Sequence, residues 1–440
     1  MSYAAAIEQL NAMVPELYTG AGVPRRKFSL DEIGILLGAL DDPQHRFPSI
    51  LIAGTNGKGS TASTLASVLT ASGVRTGLYT SPHLARVNER IRVNGAEIGD
   101  EAFARLYFRV DDGAQKLVLD GGLAQLPSFF EILTAQALLY FAEEGVEIAV
   151  LEVGMGGRLD ATNIVDPLLS VITDISLEHT EWLGSTISAI TREKAGILRR
   201  GGTMITLPQL LEVNQVLAEV AAELGVRSVS AADYTPGAVE ETTAAYQVEV
   251  LGGEIQVDSP LTGAHQHRNI ALAIAAAVEL ARTFPITAAT IAAGIRQTRW
   301  PGRLERIRRG AVEWILDVAH NPAGAWALRA GLSESLGGSR KKTLVFSCLR
   351  DKPVEEMGKI LFPLFDEVIV APIHNARAAA TKDLKAAAKA VGVAALEADS
   401  VSDALEMAER RAEGGVVVVS GSVYLVGEAR SLVLAGGDRP

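Results

Sequence analysis

Apolar residues recur along the chain in two patterns. Short, nearly unbroken runs at Ile50-Leu51-Ile52-Ala53, Val146 to Val153 and Leu168 to Thr173 have the length and density of strands buried on both faces of a parallel sheet. Between such runs the spacing turns helical. Ala62, Leu65, Ala66 and Leu69 fall at i, i+3, i+4 and i+7, and Gly73 is placed to end that helix. Thr76 to Tyr79 reads as a further short strand. Residues 4–18 and 29–40 carry helical spacing, joined by a Gly- and Pro-containing stretch that ends in Arg25-Arg26-Lys27. A long helix is expected from Ser128 through Phe141, with Ser128 as its cap and Glu131 completing a capping box three residues on. Ile187 to Leu198 looks helical, residues 203–257 hold strands and a helix, and Ile270 to Leu280 reads as a buried Ala-rich helix. Trp300-Pro301-Gly302-Arg303 breaks the pattern. Beyond it, strands at 312–317, 343–347, 367–371 and 415–419 alternate with helical stretches. The alternation predicts an α/β protein with a parallel-sheet domain over residues 1–300 and a smaller, Rossmann-like domain over 301–440.

The first apolar run leads into Gly54-Thr55-Asn56-Gly57-Lys58-Gly59-Ser60 and then into the helix. Strand, glycine-rich loop and helix in that order form a phosphate cradle: the glycines let backbone N–H groups turn inward, the helix N-terminus attracts anions, and Lys58 can reach the terminal phosphates. Compared with the usual Gly-x-x-x-x-Gly-Lys-[Ser/Thr], the interval between glycines is shorter and Gly59 is an extra residue after the lysine.

Composition narrows the partners. The 440 residues, 48% hydrophobic and 21% charged, exceed one ordinary core. A formal net charge of −11 leaves no basic field for a nucleic-acid backbone or an anionic membrane. The single cysteine, Cys348, cannot form an internal disulfide, and the start Met1-Ser2-Tyr3-Ala4 lacks the charged and apolar regions of a signal peptide, so a cytoplasmic protein is expected. No apolar run reaches the roughly 18 residues of a membrane span.

Further candidates sit where the strands end. Ser81-Pro82-His83 follows the strand ending at Tyr79, at the kind of position where open α/β sheets bind ligands, although a plain turn explains the same residues. Glu152 is the one acid near the C-terminal end of its strand and, beside a phosphate loop, suits a magnesium ion, which prefers hard oxygen donors. His179 follows another strand end and, taken singly, reads as a hydrogen-bonded loop histidine before it reads as a ligand; Lys194, taken singly, reads first as a surface lysine. His265 and His267 have no Cys or acid to complete a zinc set. Asp317-Val318-Ala319-His320-Asn321-Pro322 ends the first strand of the second unit. Two α/β units facing one another across a nucleotide are therefore expected.

The order of these motifs says more than any one of them. Gly-Thr-Asn-Gly-Lys-Gly-Ser, Ser-Pro-His-Leu with Asn-Glu-Arg-Ile, Glu-Val-Gly-Met-Gly-Gly-Arg-Leu-Asp-Ala-Thr-Asn, Glu-Lys-Ala-Gly-Ile, Gly-x-His-Gln-x-x-Asn, Pro-Gly-Arg-Leu-Glu and Asp-Val-Ala-His-Asn-Pro follow one another here. The chain resembles the folylpolyglutamate synthase / dihydrofolate synthase branch of the Mur ligase superfamily, from about Phe28 to Gly427. The resemblance implies a phosphate-loop-containing, Mur-ligase-like central domain followed by a glutamate ligase domain. It also implies an ATP-dependent ligase that activates a carboxylate of dihydropteroate or a folate as an acyl phosphate, which the amine of L-glutamate displaces.

Carried over by motif, Thr55, Asn56, Gly57, Lys58, Gly59 and Ser60 would cradle the phosphates, with Asn269, Arg303, Asp317 and His320 on the nucleotide. Ser81, Glu152 and His179 would hold magnesium. Lys194 would be carbamylated and support a second ion; with Lys58, Glu152 and His179 it makes the catalytic set. The pterin side would be lined by Phe130, Leu159, Asp160 and Ala161, with Lys27, Phe28 and Ser29, and His83 would also bind substrate. One departure is that Glu178 stands where the family usually has aspartate before the histidine. The Asp-Val-Ala-His-Asn-Pro form and the Leu-Asp-Ala loop resemble those of bifunctional bacterial members. The alternatives are a monofunctional folylpolyglutamate synthase, a Mur-type cell-wall ligase and a nucleotide-sensing module without catalysis. A monomer acting on small molecules is expected.

Overall fold

The structure, a computed structural model, describes residues 2–13, 29–237, 245–335 and 340–435. Eight strands form the first sheet: β1 (Ser49–Ala53), β2 (Thr76–Tyr79), β3 (Ile91–Val93), β4 (Ala96–Glu97), β5 (Ile148–Glu152), β6 (Leu169–Ile172), β7 (Thr203–Thr206) and β8 (Arg227–Ser230). Their order is β4-β3-β2-β5-β1-β6-β7-β8. All neighbours are parallel except β2–β3 and β3–β4. β1 is central, and the alternation of its side chains feeds two cores. Leu51 and Ala53 pack with Phe103, Phe141 and Leu151 on one face. Ile50 and Ile52 pack on the other face against Leu65, Leu69 and the Ile270–Ala277 stretch. The apolar runs are dense because both sides of the sheet are covered.

An antiparallel hairpin, β9 (Ala245–Val250) and β10 (Gly253–Asp258), comes next in the chain. The second sheet comprises β11 (Glu305–Arg309), β12 (Val312–Asp317), β13 (Lys342–Phe346), β14 (Glu367–Val370), β15 (Ala395–Glu397) and β16 (Val416–Ser420), in the order β11-β12-β16-β13-β14-β15. Only β11 runs antiparallel. The apolar pattern does not announce the antiparallel strands β3, β4 and β11 or the short β15: β3, β4 and β15 are only two or three residues long, and the side chains of β11 alternate toward water, so no apolar run develops.

Helix bounds differ from the spacing by a few residues. The first helix is Tyr3–Ala12 and the second Leu30–Gly38, while residues 14–28 lie outside the described residues. The phosphate-loop helix is Lys58–Ala71, begun at Gly57. Phe129–Glu143 has the capping box, its Ser128 hydroxyl accepting from the Glu131 amide and the Glu131 carboxylate from that of Ser128. Ile187–Ala195 stops at Gly196, short of Leu198. Among the described residues no helix is long and apolar enough to cross a membrane.

Candidate active site

The C-terminal ends of β1, β2, β5 and β6 open onto a cleft of about 380 Å³, closed from the other side by residues just past β12. Gly57, with φ 87°, turns the phosphate loop into its helix in the left-handed region. A side chain there would also strike Asn269, whose Oδ1 would lie 2.0 Å from the added carbon, so glycine is required twice over. The Thr55 and Asn56 amides donate to the Asp174 carbonyl at 2.8 and 3.2 Å. The Asp174 carboxylate in turn accepts from the Arg268 guanidinium at 2.6 Å. One ion pair thus joins the loop, the end of β6 and the helix Ala264–Leu280 that carries Asn269.

The two lysines converge. Lys58 Nζ donates to the Gly54 and Thr55 carbonyls at 3.1 and 3.0 Å, and Lys194 Nζ donates to the same Gly54 carbonyl at 2.6 Å. Lys194 is 2% exposed, so it is not a surface lysine. Burial and the neighbouring Lys58 charge push its amine down to about 7. Glu152, at the end of β5, is 4% exposed, and its Oε2 accepts from the Ser81 amide at 3.1 Å. Burial pushes its carboxyl upward, against the pull of Lys58, the Ser81 amide, Arg303 and Arg90.

His179 takes a left-handed backbone, φ 49°, and burial pushes its imidazole down to about 4. Glu178 is the residue that sequence reasoning undervalued. Its Oε1 lies 3.6 Å from His179 Nε2 and 3.5 Å from His320 Nε2, so one carboxylate links the first half of the chain to the second. Burial would push it upward, but His320, Lys58 and His179 together hold it well below the usual carboxylate range. His320 Nδ1 is 2.9 Å from the Val318 carbonyl, which can only accept, so that nitrogen carries a hydrogen. Asp317 is spent on backbone: its Oδ2 accepts from Leu304 N and its Oδ1 from Ala319 N, both at 2.9 Å. Asn321 crosses the cleft to donate to Asn56 Oδ1 at 3.0 Å.

Thr55, Asn56, Gly57, Lys58, Gly59, Ser60, Ser81, Glu152, His179, Lys194, Asn269, Arg303, Asp317 and His320 all line this one cleft. Asp174, Ser176, Glu178, His265 and Gln266 line it too without having been singled out as site residues. A second cavity of about 110 Å³ lies beside it, walled by Ser29, Phe130, Leu159, Asp160, Ala161 and Trp182, and Met155 and Gly156 line both. Lys27 and Phe28 lie outside the described residues.

His83, expected to bind substrate, is not in either of these cavities. It lines a third, small one with Glu89, Arg92, Trp300 and Arg303. Its Nδ1 accepts from Arg90 Nε at 2.9 Å, and burial together with the Arg90 charge pushes it down to about 3.

Magnesium fits the donor set. Glu152 is a buried carboxylate raised by desolvation, which a divalent cation would relieve, and Ser81 and His179 share its cleft. Among the described residues no three His, Cys, Asp or Glu side chains form a ready cage. Mg²⁺ binds through one or two protein groups and completes its shell with water and phosphate oxygens.

Residues 52–277 match the Mur ligase middle domain and residues 302–423 the Mur ligase glutamate ligase domain. The chain is 34% identical over 403 residues to the dihydrofolate synthase/folylpolyglutamate synthase of Bacillus subtilis, covering 90% of this chain and 92% of that one. Among solved structures, Mycobacterium tuberculosis folylpolyglutamate synthase complexed with ADP and AMPPCP superposes with a TM-score of 0.88 at 32% identity, over 100% of this chain and 99% of the other. Escherichia coli FolC in complex with DHPP and ADP gives 0.85 at 29% identity, over 99% and 98%. The phosphate loop, the acid at the end of β5 and the paired lysines therefore belong to an ATP-dependent, amide-forming ligase, and the chain is a member of the folylpolyglutamate synthase / dihydrofolate synthase family.

Proposed function

We propose that this enzyme joins L-glutamate to dihydropteroate and to folates, both acceptors using one site. The observation that carries the reading is the shared wall: Met155 and Gly156 line the phosphate cleft and the second cavity, so a carboxylate at the rim of one meets a phosphate in the other. The γ-phosphoryl group leaves the β-phosphate oxygen and bonds to the acceptor carboxylate. The glutamate amine then attacks the acyl carbon, inorganic phosphate departs and the amine loses a proton.

Each step brings anions together, and this chain's residues are arranged to make that tolerable. Lys58 swings from the Gly54 and Thr55 carbonyls to the phosphates, and the loop amides and Arg303 hold them. Ser81, Glu152 and His179 would hold a magnesium ion, which when bound neutralises phosphate charge. Lys194, with its amine near 7, is partly neutral at physiological pH. A neutral amine adds carbon dioxide, forming an N–C bond and releasing one proton. The carbamate gives the cleft an anion where two adjacent cations would otherwise repel, and supports binding of a second cation. Phe130, Leu159, Asp160 and Ala161, with Ser29, would receive the pterin.

We further read a monomer, and a cytoplasmic protein, since its single thiol is buried and unable to pair within the chain. The domain division at residues 300 and 301 belongs to the same reading. The test is ADP release by purified protein given ATP with dihydropteroate or tetrahydrofolate, with and without glutamate. Release that depends on both acceptor and glutamate is expected; release indifferent to both would end this reading, and turnover with tetrahydrofolate alone would leave the monofunctional alternative.

A further inference from the structure

The extra glycine of the phosphate loop has no conformational reason to be glycine. Gly59 is the second residue of the helix Lys58–Ala71 and, unlike Gly57, has no left-handed φ. What excludes a side chain there is Trp300. A carbon added at Gly59 would lie 2.6 Å from the indole Cζ2, 3.0 Å from Cε2 and 3.2 Å from Nε1. The ring cannot easily move away. The guanidinium carbons of Arg92 and Arg303 lie 5.6 and 5.7 Å from its centroid. Its Nε1 is buried, with no hydrogen-bond partner among the described residues.

Trp300 sits on the segment that joins the two halves, and that segment is fastened to the phosphate-loop helix along its length. Ser63 Oγ donates to the Arg299 carbonyl at 3.2 Å and Ser67 Oγ to the Gly294 carbonyl at 2.7 Å. Gly294 lies so near Val68 that an added carbon would be 2.3 Å from its Cα. Three residues past Trp300, Arg303 enters the cleft, where it faces Asp317 and Glu152. Trp300 itself does not line the cleft.

We propose that Trp300 is a positioning residue, seated on Gly59, through which phosphates held by the loop set Arg303 and the second half of the chain for the transfer step. The extra glycine in the loop is the seat for this indole. The inference rests on the nucleotide reading of the cleft.

The experiment is a double-mutant cycle on ADP affinity by calorimetry, with kcat and thermal midpoint measured on the same preparations. Gly59→Ala should weaken ADP by tenfold or more. Trp300→Phe, which removes the outer ring edge and keeps an aromatic face for the arginines, should weaken it no more than threefold. The double variant should return to within threefold of the wild type. If the double variant is as weak as Gly59→Ala, the seat is not what demands glycine and the proposal is overturned. Trp300→Ala, folded at the assay temperature, should bind ADP at least fivefold more weakly and lose tenfold in kcat although it touches no ligand. Unchanged affinity and kcat there would overturn the proposal even if Gly59→Ala does not fold. Failure of the wild type to bind ADP would instead overturn the nucleotide reading, so the two failures are told apart.

Discussion

Two buried acids, Glu152 and Asp160, lie at the two ends of one short loop and do different work. Both are almost sealed from water, 4% and 8% exposed, and burial pushes both upward. Asp160 is saturated by the chain around it: Oδ2 accepts from Met155 N at 2.8 Å, and Oδ1 accepts from Thr162 N and Oγ1 at 3.0 and 2.6 Å. Its charge is consumed in shaping the second cavity. Glu152 receives one backbone amide and otherwise faces lysine and arginine across open space. Glu152 keeps its charge available and Asp160 spends its own, as expected if the first faces phosphate and cation and the second helps wall the site of an uncharged ring.

The largest effects test the cleft. Lys58→Ala and Glu152→Ala should each lower kcat by a thousandfold or more, about 4 kcal/mol at about 1.4 kcal/mol per tenfold. Dihydropteroate affinity should change less than threefold, since neither residue lines the second cavity. A coupled assay for ADP alongside acceptor titration checks both. Comparable loss of acceptor binding would erase the division of labour.

Asp160→Ala should act in reverse. Three backbone or hydroxyl donors lose their acceptor, so the protein should lose roughly 2–4 kcal/mol of stability. The acceptor KM should rise by tenfold or more with ADP affinity held, and chemical denaturation with an ADP titration separates the two outcomes.

The division also shows what could be read from the sequence. Residues 54–60, Glu152 and the Ser128–Glu131 box were legible because strand end, loop and helix start are local. Period and spacing say which face of an element is covered, and β1 and β5 obeyed them. They do not say by what. Glu178 meeting His320, Asn321 reaching Asn56 across 265 positions and Trp300 seated on Gly59 all join different halves of the chain, and no local rule pairs them. The surroundings of His83 were not legible for a related reason: its motif lies beside Ser81, but the imidazole bonds Arg90 seven residues later and lines the small third cavity.

That placement gives a pH test. His83 titrates near 3 in the fold against 6.5 when exposed, burial being the main cause. Between those values the unfolded chain binds a proton that the folded chain refuses, so folding stability rises with pH through this window and falls on acidification. At about 1.4 kcal/mol per unit, the loss amounts to a few kcal/mol by pH 4. His83→Gln should flatten that slope in urea midpoints taken from pH 7 to 4, with acceptor KM within twofold of the wild type. An unchanged slope would contradict this burial, and a KM raised tenfold would make His83 a substrate-binding residue.

The smallest effect is expected at Ser128, where the cavity meets ordinary helix chemistry. Its hydroxyl accepts from the Glu131 amide at 3.3 Å, and Glu131 answers with a 2.7 Å bond from the Ser128 amide, fixing the first turn that carries Phe130. Ser128→Ala should cost about 1 kcal/mol of stability, the usual value of a lost cap. Because Phe130 lies two residues on and Gly154 packs so near its ring that an added carbon would be 2.6 Å away, a loosened turn should move the cavity wall. The acceptor KM should then rise two- to fivefold with kcat at saturation and ADP affinity unchanged. A fall in kcat at unchanged KM would mean that this helix governs the cleft, and the two regions would not be separable.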